Sequence, residues 1–264
     1  MLAAALAQAG KTVLHLDENT WYGGHEWSTL TLKEFREWVH NHGGEECLRV
    51  PNVEMLGRDR HYAIDLMTVP IMGNGPLVQL LVDSNIARYM TFRNVDMTYL
   101  WMEDVLQPVP CSKSEVFKSK AIPKRQKAQL MSFMKWISEH EDDDSDLATF
   151  LDQPFEVFLT ARKIAPDLQK FLIHAIALDP KAGGQAGAYT TAEAIRCMKE
   201  YLESVGKFGP TAFLYNMYGV GEVPQAFARV CAIFGGTYYL GQGLRSLQVD
   251  GQGNMCSVVC VSTV

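Results

Sequence analysis

At 264 residues with 47% hydrophobic content, the chain has material for one large or two modest cored domains and reads as a soluble globular protein. A net charge of −6 and an isoelectric point near 5.7, with no basic stripe interleaved with aromatics, argue against broad nucleic-acid binding, so no nucleic acid is expected as a partner. Six cysteines are scattered with no Cys-x-x-Cys pair, as expected of a reduced, cytoplasmic setting.

The opening, MLAAALAQAGKTVLHLD, holds an apolar run of about seven residues with no basic segment before it, too short for a signal peptide or a membrane span. Leu2 to Gln8 predicts a short helix ended by Gly10, and Thr12 to Leu16 an apolar strand closed by Asp17, the second half of a βαβ unit. The strand and glycine turn that open such a unit do not precede it, so the chain reads as truncated there or as lacking that strand. Leu32 to His40 predicts a helix with Leu32, Phe35 and Val39 on one face, broken by Asn41 to Gly44. A further helix is expected over Leu77 to Tyr89, and two short strands within Thr98 to Val109 around a turn at Glu103-Asp104.

From Cys111 the pattern becomes helical. Leu130, Phe133, Met134 and Ile137 form one stripe, Phe155, Phe158 and Leu159 a second, Leu168 to Ile176 a third, and Ile195, Met198, Leu202 and Val205 a fourth. The acidic run Glu141 to Asp146 reads as a solvated loop, because no opposed ligands suggest a metal. After Phe208 strands return, ending in Leu244–Val249 and Met255–Val259. The fold class expected is α/β, with an incomplete Rossmann-like domain over 1–111 and 209–264 and an inserted helical domain over 112–208.

No catalytic set emerges. His174, between Leu172 and Ile176, is expected to be a core histidine; His15 lies in a strand and His25 in a turn, and no His-Glu-x-x-His occurs. Asp17 ends a strand where dinucleotide folds place an acid against a ribose. Flavin enzymes follow that acid with arginines at the second and fourth positions, where this chain has Asn19 and Trp21, although Gly23-Gly24 are retained. No cofactor and no metal are therefore expected.

The most informative stretch is Leu214 to Leu240 (LYNMYGVGEVPQAFARVCAIFGGTYYL). It runs from an aromatic segment through Gly219-Val220-Gly221 into a helix, with Pro224 in the first turn and Phe227, Val230, Cys231 and Phe234 as its core stripe. Glycine before a helix start can hold phosphate, but Glu222 puts a carboxylate where phosphate would sit and Pro224 lacks an amide donor; the glycines otherwise only shape a turn. Glu222 and Arg229 lie seven positions apart, about two turns and roughly 10 Å along the helix axis, so they can offer opposite charges to one partner. Alternatively, Glu222 is a helix-terminal acid favoured by the dipole and Tyr22 a half-buried core residue.

The order Tyr-Gly-x-Gly-Glu-x-Pro-Gln-x-Phe-x-Arg, then Phe-Gly-Gly-x-Tyr, resembles the family of Rab GDP-dissociation inhibitors and Rab escort proteins, as does LHLDENTWYGG around Tyr22. The resemblance implies a non-catalytic protein whose platform of Tyr22, Glu222 and Arg229 grips the switch regions of GDP-bound Rab GTPases. A third segment, VPCSKSEVFKSKAIPKRQKA, resembles the escort pattern, in which the residue matching Phe117 inserts into Rab geranylgeranyltransferase. The family arginine eleven positions on is Ala128 here, beside Lys127. The further expectations are a geranylgeranyl lipid held among the helices of 112–208, near residues such as Leu130, Phe133, Leu168, Phe171 or Met198, and transient contact with membranes. A GDP-dissociation inhibitor and a flavin-dependent amine oxidase-like enzyme are the alternatives.

Overall fold

The computed structural model describes residues 1–24, 26–43, 56–102, 104–119, 122–139, 145–180, 189–253 and 255–262. His25, Gly44, Glu103 and the acidic run over 141–144 lie outside them. The chain divides into two units, one of 1–69, 81–93 and 215–264, the other of 70–80 and 94–214.

In the first unit, α1 (Leu2–Gln8) buries Ala4 and Ala7, small residues that allow close approach of α10 (Glu222–Ile233), whose Cys231 thiol donates to the Ala3 carbonyl at 3.4 Å. The predicted apolar strand is β1 (Leu14–Leu16), which pairs in parallel with β9 (Thr237–Tyr239), His15 opposite Tyr238. Helix α2 (Leu32–Asn41) begins with a capping box: Thr31 accepts from the Glu34 amide while Glu34 accepts from the Thr31 amide. Just before it, β2 (Thr29–Leu30) lies antiparallel to β3 (Ile64–Asp65), Thr29 opposite Asp65.

The unit ends in a hairpin of β10 (Gln242–Val249) and β11 (Met255–Ser262). Its register sets Leu244 against Cys260 and Leu247 against Val258, with a bulge between Leu244 and Ser246. Directly opposed side chains share a face, so this hairpin presents an apolar face on which Leu244 and Leu247 are each more than half exposed.

The second unit carries the larger core. Strand β4 (Ile71–Met72) pairs with β8 (Phe213–Asn216) through Ile71 and Met72, and the hairpin of β6 (Tyr99–Met102) and β7 (Val105–Pro108) turns through Asp104 at φ 61°. Around them stand α4 (Lys113–Lys118), α5 (Lys124–Glu139), α6 (Ser145–Ala148), α7 (Phe155–Ala161), α8 (Pro166–Phe171) and α9 (Thr191–Ser204). Their stripes meet as expected: Leu130, Phe133, Ile137, Phe158, Leu168 and Met198 are all buried. Phe133, Trp136, Phe150, Phe155 and Phe158 form a ring cluster, and Arg162 covers Trp136 with its guanidinium carbon 4.4 Å from the ring centroid.

Three expectations need correction. The helix predicted over Leu77 to Tyr89 is α3 (Pro76–Asp83), followed by a separate 3₁₀ turn at Ala87–Tyr89. Asn85 adopts φ 55° between them, a left-handed conformation that asparagine tolerates and that ends an α-helix. His174 is exposed, because Leu172–Ile176 forms a π-helical turn, closed by the Ala177 amide on the Leu172 carbonyl at 2.8 Å. Such a turn shifts the phase of the stripe and carries His174 out of the core. Phe234, read as part of the α10 core stripe, caps that helix and is about half exposed.

Candidate protein-binding site

The glycine turn ahead of α10 shows what occupies its amides. Val220 N–H donates to Asp65 Oδ1 at 3.1 Å, and Gly221 N–H donates to Thr29 Oγ1 at 2.8 Å. Thr29 Oγ1 in turn donates to the same Asp65 oxygen at 2.5 Å. Asp65 thus supplies the anion that a nucleotide phosphate supplies in a dinucleotide fold. Neither glycine is replaceable without movement: Gly219 sits at φ +93°, where a Cβ would overlap the side chains of Thr29 and Asp65, and a Cβ on Gly221 would fall 2.8 Å from the Thr29 backbone nitrogen. Sequence reading missed Thr29 and Asp65 because both are far from the turn in the chain.

The ribose-type acid is similarly engaged. Asp17 Oδ1 accepts from both the backbone N–H and the side-chain amide of Asn19, each at 3.0 Å. Trp21 Nε1 donates to the Gly24 carbonyl at 3.0 Å. The two positions that would be flavin-binding arginines instead fold the Asp17–Gly24 turn onto itself, and these residues do not fit a flavin dinucleotide. Tyr22 is half-buried, its ring 5.8 Å from Tyr238, which stacks on His15 at 4.4 Å. Burial, then the nearby Cys231 and Tyr22, push the Tyr238 hydroxyl pKa up, so it is a neutral hydrogen-bonding group at physiological pH.

On α10, Val223, Ala226, Phe227 and Cys231 face inward, leaving Gln225, Arg229 and Ile233 exposed and Glu222 half-buried. Seven positions return to nearly the same helix face, so Glu222 and Arg229 stand on one stripe. Glu222 accepts from the Tyr218 amide at 3.3 Å, within its own turn. The guanidinium of Arg229 lies over Tyr89, 4.7 Å from the ring centroid. Among the described residues the three expected platform side chains therefore have separate neighbours: Tyr22 with Tyr238, Glu222 with Tyr218, and Arg229 with Tyr89.

In the second unit, α4 is capped by Ser112, whose hydroxyl accepts from the Glu115 amide at 3.2 Å, and it buries Val116. Its C-terminal end is held by Lys127 of α5, buried, with Nζ donating to the Phe117 carbonyl at 2.7 Å and the Ser119 carbonyl at 2.5 Å. A cation on the last carbonyls of a helix satisfies both the orphan acceptors and the dipole. Phe117 is left 65% exposed, and Ala128 is also exposed. Lys127 is thus the structural partner of Phe117, which its sequence position alone does not reveal.

Beside α4, a cavity of about 770 Å³ opens between α4, α5, the π turn and α9, lined by Val116, Leu130, Met134, Phe171, Leu202 and Val205 among others. Of the five residues expected near a lipid, Leu130 and Phe171 border it, while Phe133, Leu168 and Met198 belong to the buried core. Cys111 also lines this cavity, its sulfur 3.7 Å from the Tyr201 hydroxyl. Burial raises the pKa of both groups, which keeps the thiol protonated and a poor nucleophile. No cluster of His, Cys, Asp or Glu able to hold a metal occurs among the described residues.

The fold is similar to that of two solved structures. Rab GDI from Plasmodium falciparum matches with a TM-score of 0.71 and 23% identity, over 98% of this chain and 59% of that one. An oxidoreductase from Methanosarcina mazei matches with a TM-score of 0.57 and 12% identity, over 98% and 52%. The architecture is the mixed α/β fold of Rab GDI, which this oxidoreductase shares more distantly.

Residues 1–264 match the family described as "GDI: GDP dissociation inhibitor", and the chain belongs to that family. Rab proteins geranylgeranyltransferase component A 2 of Mus musculus is 34% identical over 208 residues, covering 79% of this chain and 33% of that protein. Guanosine nucleotide diphosphate dissociation inhibitor 2 of Arabidopsis thaliana is 30% identical over 262 residues, covering 98% and 57%. The chain thus spans between about a third and three-fifths of the relatives it matches.

Proposed function

We propose that this protein acts as an escort-type Rab chaperone: it binds GDP-loaded Rab GTPases, presents them to Rab geranylgeranyltransferase and shields the attached geranylgeranyl groups. It works by binding, without catalysis, in the cytoplasm and transiently at membranes. Family membership supports the GTPase partner. The observation that carries the escort reading is Phe117, an aromatic ring 65% exposed on a helix fixed at both ends, in the segment that resembles the escort pattern. An aromatic anchor of this kind gains by burial in a partner's pocket, and its helix is already ordered.

Tyr22, Glu222 and Arg229 form the proposed Rab platform in the Rossmann-like part, 1–111 and 209–264, and the helical part, 112–208, takes the transferase and the lipid. The apolar cavity beside α4 falls within the 300–1,000 Å³ range of small-molecule pockets. At about 0.8 kcal/mol per buried CH₂, a long isoprenoid provides a large binding term.

The test is a ternary complex assembled from this chain, a GDP-loaded Rab and the transferase. Phe117→Ala is expected to weaken transferase binding by more than about 1 kcal/mol with Rab binding unchanged, and Arg229→Ala to weaken Rab binding by a similar amount. No effect of Phe117→Ala on transferase recruitment would sink the escort reading. A recycling inhibitor without transferase recruitment is favoured by one feature, the exposed Ala128 in place of the escort arginine, and a Rab complex that never recruits the transferase would establish it. A stoichiometric yellow flavin in the purified protein would replace both readings with an oxidase.

A further inference from the structure

We infer that Arg88, Tyr89 and Arg229 form a two-guanidinium clamp for an acidic stretch of the bound protein, with Tyr89 as its positioning residue. This rests on the reading that the α10 stripe binds a protein partner, and extends it to two residues outside α10. The guanidinium carbons of Arg88 and Arg229 each lie 4.7 Å from the Tyr89 ring centroid, so they are no further apart than twice that distance. Arg88 Nη2 also donates to the Tyr89 hydroxyl at 2.6 Å, so the phenol is tied to one of the two cations that lie against its ring.

Both arginines are exposed, and among the described residues neither forms an ion pair with a carboxylate. Two like charges converge on one ring instead, and most of the N–H donors of each fork are unspent. Planar guanidinium forks suit carboxylates, which they can hold bidentately. A partner with two acids close in sequence would relieve the mutual repulsion of the clamp and complete its hydrogen bonds. Glu222, on the same stripe as Arg229, repels acids at the other end of that stripe and so gives the site a direction.

The test uses the full chain and two probes: GDP-loaded Rab, and a synthetic hexapeptide of alternating glutamate and glycine. Arg88→Gln and Tyr89→Leu are each expected to weaken both probes about tenfold and to flatten the salt dependence of binding. Tyr89→Phe, which keeps the ring but loses the hydroxyl tie to Arg88, is expected to fall between the parent and Tyr89→Leu in both affinity and salt dependence, whereas a residue needed only for folding would leave the salt dependence unchanged. Unchanged peptide affinity in Arg88→Gln and Arg229→Gln, with native circular dichroism, overturns the clamp whatever Rab does. Stronger binding of inorganic phosphate than of the peptide also overturns it. Peptide binding that depends on all three residues while Rab fails to bind would uphold the clamp and reject the Rab reading.

Discussion

Tyr201 shows how a single residue couples the cavity in the helical unit to pH. Its hydroxyl is buried beside the Cys111 sulfur, and burial raises its pKa well above the usual tyrosine value, with Cys111 adding to the shift. A folded-state pKa above the unfolded one stabilises fully below the unfolded value, near 10, and that contribution is lost as pH rises toward the folded value. Stability should therefore fall above about pH 10 more steeply in the parent than in Tyr201→Phe, which has no proton to lose there. Chemical denaturation at pH 8 and pH 11 checks this, and equal alkaline losses in the two proteins would refute it. Lys127 illustrates another residue-level economy: one buried ammonium serves two carbonyls and leaves Phe117 at the surface.

At the scale of elements, the glycine turn and α10 form a unit stabilised by groups from β2 and β3. Gly219→Ala requires a side chain at φ +93° and a Cβ inside the space of Thr29 and Asp65. A loss of about 2 kcal/mol or more is expected, given strain of order 1–3 kcal/mol at such a conformation. Gly10, at φ +76° with nothing near its Cβ position, should tolerate alanine with a smaller loss. Urea midpoints of the two variants compare them directly, and equal midpoints would show that the Thr29–Asp65 contact does not constrain the turn.

Much of this level is legible in the sequence. Helices α5, α7, α9 and α10 follow from apolar residues at helical spacing, and most of each stripe is buried or half-buried, Phe234 excepted. The same spacing misplaced His174 because a π turn has a different period, and overran α3 because Asn85 ends it through backbone conformation, which hydrophobic pattern does not record. At the candidate site, Glu222 and Arg229 can be picked out because they share one helix. Thr29, Asp65 and Tyr89 cannot, because only tertiary folding brings them to α10.

For the molecule as a whole, the terminal hairpin is one of the exposed apolar surfaces. Leu244, Leu247 and Val249 are each more than half exposed, and a two-stranded hairpin with such a face is marginal by itself and prone to association. Leu247→Asp should lower light scattering at high protein concentration without changing the binding proposed to depend on Phe117 or Arg229; unaltered scattering would place self-association elsewhere. The carboxylate of Asp65 has a consequence on the same scale. A fold whose phosphate-type turn waits for a nucleotide is linked by mass action to the supply of that nucleotide, and loosens when it is scarce. Here the counter-anion is encoded in the polypeptide and arrives with every copy synthesised. The turn that starts α10 is thereby held by the chain's own Thr29 and Asp65, with its Val220 and Gly221 amides already engaged.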